Sequence, residues 1–206
     1  MLKRFLLIAA LAASPAAASP EFVLPTLFDV SGVAADDVLN IRAEPSAGAD
    51  ILGTLDPDAT GIEVVALDHS GGWGRINLGE SSGWVSMRFL NYRTDVWLED
   101  ALPETLRCGG TEPFWGVVPD GGGMVFSTPD GETRYDGAEV FATSFFRNPR
   151  RVFAASGDEG GLWGSIAPAA CNDGMSDRVF GLDAMLILDD GGARRFYHGC
   201  CEIQPR

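Results

Sequence analysis

The 206-residue sequence is poor in positive charge, and above all in lysine. It has 15 Lys+Arg against 29 Asp+Glu, a net charge of −14, and Lys3 is its single lysine. Nucleic-acid binding is disfavoured, because phosphate is repelled by an acidic chain without a basic surface. Lysine nucleophiles and Schiff bases are excluded from the rest of the chain. His69 and His198 are the only histidines, which leaves few bases for a Ser-His-Asp triad.

The remaining composition is that of a folded protein. Hydrophobic residues make up 46% of the chain and aromatic residues 10%, which is enough for a core and excludes wholesale disorder. The chain also has 26 glycines and 12 prolines, a sign of many turns. We therefore expect an all-β protein rather than a helical bundle.

The first residues have the order of a secretory signal peptide. A basic start at Lys3 and Arg4 precedes an apolar run over residues 5–13, and Ser14-Pro15 and three alanines follow. We predict a signal peptide over 1–18, and hence a periplasmic or secreted protein. The run is too short to span a bilayer, and no later segment is long and apolar enough, so no membrane span is expected after cleavage. The mature chain would carry 13 basic and 29 acidic side chains, a net charge of −16.

The four cysteines all lie after residue 107, at Cys108, Cys171, Cys200 and Cys201. In an exported chain, an even number of cysteines predicts two disulfides. Neighbouring strand residues point to opposite faces, so Cys200 and Cys201 are expected to bond Cys108 and Cys171 in an order left open. Two alternatives remain, a vicinal 200–201 bond and a metal site that includes His198.

Five short β-type segments lie between residues 30 and 92, with Gly, Pro, Asp or Ser in the gaps. They cover residues 38–42, 51–55, 62–67, 73–78 and 83–86. Strands this short and this close together predict a small barrel.

Four strings in this region resemble bacterial SH3 domains. They are LNIRAEPS at 39–46, ILGTL at 51–55, GWGRI at 72–76 and SGWV at 82–85, and their order and spacing match over about residues 36–92. The resemblance implies a binding module, which we place at 30–92. Its loop after residues 62–67 is short and acidic, unlike a surface that binds anionic wall polymers.

Four residues are the candidate ligand contacts of this module. Trp73 and Trp84 would stack on a peptide or sugar, although a tryptophan in a small barrel is often part of the core. Arg42 and Arg75 would clamp a carboxylate, the alternative being solvated arginines on a strand face.

Residues 105–206 read as a second all-β domain, a disulfide-bonded antiparallel barrel or sandwich of seven or eight strands. The segments are 114–118, 123–127, 139–143, 152–155, 162–166, 184–188 and 195–201, with hairpin signals at 129–132 and 189–192. Residues 93–104 are acidic and contain a proline, which predicts a linker or a short helix over 96–98.

Three strings in this second domain resemble a group of uncharacterised bacterial envelope proteins. They are CGGTEPFW at 108–115, CNDGMSD at 171–177 and GCC at 199–201, and the shared pattern reads GxEPFW … CxDGMSD … GCC. Each string contains a cysteine, so the resemblance implies a disulfide framework. The 172–177 string is either an exposed recognition loop or a turn capped by its Asp side chains.

No catalytic motif stands out. Residues 79–83 match G-x-S-x-G, but a strand follows where a nucleophile elbow needs a helix, so we predict a hairpin. His69 lies in a turn. Acidic side chains could form a catalytic pair or a calcium site, but no spacing identifies one. Arg147, Arg150 and Arg151 are expected to pair with acids or to bind an anion.

The sequence thus predicts an exported, non-catalytic envelope protein without a cofactor or a metal. Its SH3-like module is expected to bind a peptide or a cell-wall fragment. The alternative is a structural or inhibitory protein that acts on a secreted hydrolase such as a lysozyme, because acidity would steer it toward a cationic partner. A neutral or cationic envelope protein is the other kind of partner expected.

Overall fold

A computed structural model describes residues 22–145, 147–158 and 160–205. The predicted signal peptide at 1–18 lies outside these residues. In the described part of the chain, we find no helix with the length and apolar character that crossing a membrane requires.

The N-terminal unit consists of eight strands in two sheets, and a 3-10 turn at Met87–Phe89 precedes the last strand. The strands are β1 (Thr26–Val30), β2 (Leu39–Arg42), β3 (Ile51–Leu55), β4 (Ile62–Val64), β5 (Ala66–Leu67), β6 (Trp73–Leu78), β7 (Ser81–Ser86) and β8 (Leu90–Tyr92). One sheet has the order β4-β1-β8 and the other β3-β2-β7-β6-β5. Side chains that alternate along the strands, such as Ile41, Ile76 and Val85, form the core between the sheets.

The five predicted segments all form strands, but two further strands were not predicted, the three-residue β8 and the longer β1. This strand lies before the predicted start at residue 30 and pairs with both β4 and β8. Its two faces pack in different cores. Phe28 lies in the core of the N-terminal unit, and Leu27 lies in the core formed by the second half of the chain. A strand buried on both faces does not show the alternation that marks a half-buried strand.

The second half forms a closed eight-stranded antiparallel barrel, the C-terminal barrel. Its strands are β9 (Arg107–Thr111), β10 (Phe114–Asp120), β11 (Gly123–Thr128), β12 (Gly131–Ala142), β13 (Arg151–Gly157), β14 (Gly160–Cys171), β15 (Phe180–Asp189) and β16 (Arg194–Glu202). The all-β prediction is therefore confirmed. The choice between barrel and sandwich is settled by β9, which pairs with β10 on one side and β16 on the other.

The two predicted disulfides are confirmed, and the order left open is Cys108–Cys201 and Cys171–Cys200. All four cysteines take part in these two disulfides. The alternatives of a vicinal 200–201 bond and of a metal site with cysteine ligands are therefore wrong. His198 instead places its Nε2 atom 2.6 Å from an Oδ atom of Asp183 on the neighbouring strand.

Residues 93–106 contain no helix, and they pack against the C-terminal barrel. Val96 and Trp97 are buried in its core, and the Trp97 indole N–H donates to the Pro25 carbonyl over 2.9 Å. The buried Arg151 guanidinium donates to the carbonyls of Leu98 and Ala101, and it lies 5.4 Å from the Trp97 ring. The segment proposed as a linker therefore joins the two halves through buried contacts.

Candidate functional site

Three of the four candidate residues lie in one row across the five-stranded sheet. Trp84 on β7 is directly opposite Arg42 on β2 and Arg75 on β6. Directly opposed residues of antiparallel strands share a face. This is the outer face, because the next residue, Val85, points into the core. Trp73 is two residues before Arg75 and belongs to the same face.

Neither tryptophan is a core residue, since both are half-buried on this outer face. The Arg75 guanidinium lies 5.7 Å from the centre of the Trp84 ring, within the range of a cation–π contact. Two nitrogens of Arg75, Nε and Nη2, also donate to the Ser82 hydroxyl over 3.2 and 3.0 Å. Arg75 and Trp84 thus form a strip on this face, in which the guanidinium contacts the neighbouring indole ring.

Arg42 and Trp73 meet in a groove beside this strip, with a volume of about 490 Å³. The other walls are Asn40, Ser86, Phe89 and the segment from Gly32 to Leu39. The groove therefore combines aromatic rings, a guanidinium, the Asp37 carboxylate and neutral polar groups. Arg75 and Trp84 are not among its lining residues, so the structure separates the four candidates into two pairs.

A capped turn fixes the position of Trp73 at the start of β6. The Asp68 carboxylate accepts the N–H of Trp73 over 2.8 Å, and its other oxygen accepts the N–H and hydroxyl of Ser70. These hydrogen bonds, that of the Ser70 hydroxyl first, lower the pKa of Asp68. Gly71 completes the turn with a positive φ of 72°. The main chain that carries the Trp73 side chain is thus fixed before a ligand arrives.

Arg42 is positioned from the other side of the groove. Its Nη1 atom donates to the Ala49 carbonyl over 2.7 Å, across the loop between β2 and β3. A guanidinium has five N–H donors, so this bond uses only part of its capacity. An arginine oriented in this way can still form the two parallel hydrogen bonds that a carboxylate accepts.

Residues 37–91 match the model of the bacterial SH3 domain family. The resemblance stated from the sequence is therefore confirmed for this segment, and such a domain is a binding module. Neither the curated proteins nor the solved structures include a significant match to the chain. Kinship of the C-terminal barrel with the envelope group remains a prediction.

The SH3 domain also holds an acid that the sequence analysis did not single out. Glu63 on β4 is fully buried, and its Oε2 atom accepts the N–H of Ile203 over 3.1 Å. Burial raises the pKa of Glu63 from 4.5 to about 8, with a smaller contribution from the charge of Glu202. In the sequence, the feature that could have indicated this burial is a single acid between two apolar residues, Ile62 and Val64. In the structure, all three residues of this strand are buried.

Glu63 is part of a packed junction between the SH3 domain and the C-terminal barrel. The Asn77 side chain donates to the Val179 carbonyl and accepts its N–H, each over 2.9 Å. Arg178 forms an ion pair with Glu202 close by. The two domains are therefore joined by hydrogen bonds as well as by the buried contacts of residues 93–106.

The other motifs have local structural roles. G-x-S-x-G at 79–83 is the β6–β7 hairpin, as predicted. His69 is exposed in the turn between β5 and β6. Asp173 accepts the N–H groups of Met175 and Ser176, so the 172–177 string is a capped turn. Arg151 differs from expectation, because it bonds main-chain carbonyls rather than acids. No group of three or more His, Cys, Asp or Glu suited to a metal ion occurs within the described residues.

Proposed function

We propose that this protein is an exported, non-catalytic binding protein, and that its SH3 groove holds a carboxylate-bearing peptide or the peptide part of a cell-wall fragment. The observation that carries the proposal is the meeting of Trp73 and Arg42 in one groove, where one hydrogen bond orients the Arg42 guanidinium and another fixes the main chain of Trp73. Binding groups held in place lose little freedom when a ligand arrives, which favours affinity.

The groove chemistry suits a short peptide with a carboxylate. The Trp73 ring offers a flat apolar surface for a side chain or a peptide plane. Arg42 offers a paired donor for the carboxylate, and Asp37 offers an acceptor for an amine or amide N–H. Asn40 and Ser86 supply further polar contacts to the ligand main chain.

Charge favours a peptide over an anionic wall polymer. The chain has a net charge of −14, so a polyanion would be repelled at every distance that salt does not screen. A short ligand presents one carboxylate directly to Arg42 and avoids most of this repulsion. The wall component that best fits the groove is therefore a peptide stem rather than a phosphate-rich polymer.

Export and a non-catalytic role rest on separate observations. The leader pattern at 1–18 supports export, and two disulfides suit an oxidising compartment. The two serines within the G-x-S-x-G match and His198 all lie outside the groove. The Ser82 hydroxyl accepts two hydrogen bonds from Arg75, and His198 faces Asp183. Binding is the activity that the groove supports.

The proposal is tested by titrating the purified protein with muropeptides and with peptide-free glycan fragments, using calorimetry. We expect binding of the muropeptides alone. Trp73→Ala and Arg42→Gln should each weaken it by about tenfold or more, because each removes a principal contact.

Arg134→Gln is the matched control, because Arg134 is an exposed strand arginine of the other barrel and forms ion pairs with Asp120 and Asp136. It should bind like the wild type. The proposal is overturned if the wild type does not bind muropeptides, or if Trp73→Ala binds them equally well. Equal binding of peptide-free glycan would overturn the assignment of the peptide stem.

A further inference from the structure

The outside of the C-terminal barrel has a broad apolar face on β12 to β16. Two adjacent rows of opposed residues form it, Ala154–Trp163–Ile187–Phe196 and Phe141–Val152–Ser165–Met185. Six large side chains in these rows are exposed, from 41% at Trp163 to 62% at Phe196. The alternate residues of the same strands, such as Phe153 and Leu186, fill the barrel interior. This face is therefore additional to the core.

Small residues lie among the large side chains of this face. Its central positions include the small residues Ala154 and Ser165, whereas Phe141 and Phe196 stand on the outermost strands. The Trp163 ring lies down over Gly161, where a Cβ atom would come within 2.7 Å of the ring.

Two acids at the margins of this face have partners within the chain, whereas Glu139, opposite Ala154 at the end of the first row, is an exposed acid. Asp183 faces His198 over 2.6 Å on one side, and Asp189 accepts from Arg194 over 3.0 Å on the other. The eight residues that form the two rows carry no charge.

We infer that this face is the interface of a homodimer, in which the β12–β16 faces of two copies pack against each other. With side chains of roughly 150–250 Å² about half exposed, the six residues present on the order of 600 Å² of apolar surface. That is at the upper limit for a patch left open on a monomer, and it is close to the ~800 Å² that each partner of a standard interface buries.

A second copy fits this face better than other occupants. The barrel is closed, so a partner cannot add a strand to its edge and must pack face to face. The same apolar face on both copies is self-complementary, as a two-fold interface requires.

Sedimentation velocity over about 1–100 µM protein tests the dimer. We expect a concentration-dependent shift from monomer to dimer. Phe196→Glu should raise the dissociation constant by about tenfold or more, since it places a charge in the apolar contact of both copies. Raising NaCl should strengthen the dimer, because salt screens the repulsion between acidic chains and leaves the apolar contact intact.

Phe114→Glu is the control, because Phe114 is a strand phenylalanine with a similar exposure of 54% on β10, away from the face. It should dimerise like the wild type, and circular dichroism should show both variants folded. The inference is overturned if the wild type stays monomeric at the highest concentration, or if both variants weaken the dimer equally. A monomer that co-sediments with phosphatidylcholine vesicles, and loses this property with Phe196→Glu, would assign the face to lipid instead.

Discussion

Replacement of the buried Glu63 by glutamine should remove a large part of the pH dependence of stability. The pKa of Glu63 is about 8 in the folded protein against 4.5 for an unperturbed glutamate. The folded state therefore binds the proton more tightly than the unfolded chain does. The resulting stability is fully present below the unfolded pKa, falls as pH rises from 4.5, and is lost above about 8.

The size of this effect follows from the shift. Each pKa unit corresponds to about 1.4 kcal/mol, so the whole shift from 4.5 to about 8 is worth about 5 kcal/mol. Between about pH 5 and about pH 8, the wild type should lose about 3 kcal/mol relative to Glu63→Gln. Glutamine keeps an oxygen that accepts the N–H of Ile203, and its amide N–H groups replace the unpartnered Oε1 atom at a cost that does not depend on pH.

Urea denaturation followed by tryptophan fluorescence measures the difference at a series of pH values. From about pH 5 to about pH 8, the unfolding free energy of the wild type should fall relative to that of the glutamine variant, whatever the constant difference between them. Glu44→Gln is the control, because Glu44 is exposed and should follow the wild type at every pH. Parallel curves for wild type and Glu63→Gln would refute the reasoning.

Two further predictions concern stability. Replacing Cys108 and Cys201 by alanine should cost about 1 kcal/mol more unfolding free energy than replacing Cys171 and Cys200, because the first pair closes a span of 93 residues and the second one of 29; equal losses in chemical denaturation would contradict this. Trp97→Phe should lower the unfolding free energy by about 1–3 kcal/mol, since it removes the donor to a buried carbonyl. An unchanged melting temperature would show that this hydrogen bond does not stabilise the junction.

The local patterns predicted the strands well because alternation and turn residues act over a few positions. All seven segments proposed in the second half lie in or overlap strands, although β12 and β14 extend further than their patterns suggested. The missed strands are the three-residue β8, β1 and β9. β1 is buried between two cores, and β9 is rich in glycine, so neither displays a clear period of two.

The candidate site was predicted in part. The family resemblance led to Trp73, Trp84, Arg42 and Arg75, and the sheet does place all four on one face. Of these four residues, only Arg42 and Trp73 line the groove, because the loop before β2 packs beside them and not beside Arg75 and Trp84. A loop position cannot be read from the residues that it covers.

By itself, the sequence determined the β class, the SH3 segment, the number of disulfides and the acidic charge, since these follow from composition, short-range periodicity and local motifs. The tertiary structure decided the closure of the barrel by β9, the pairing of the four cysteines, the burial of Glu63 and the gathering of apolar residues from five strands on one outer face. These features depend on strand register between residues far apart in the chain. A shift of one residue in register would turn every side chain to the opposite face.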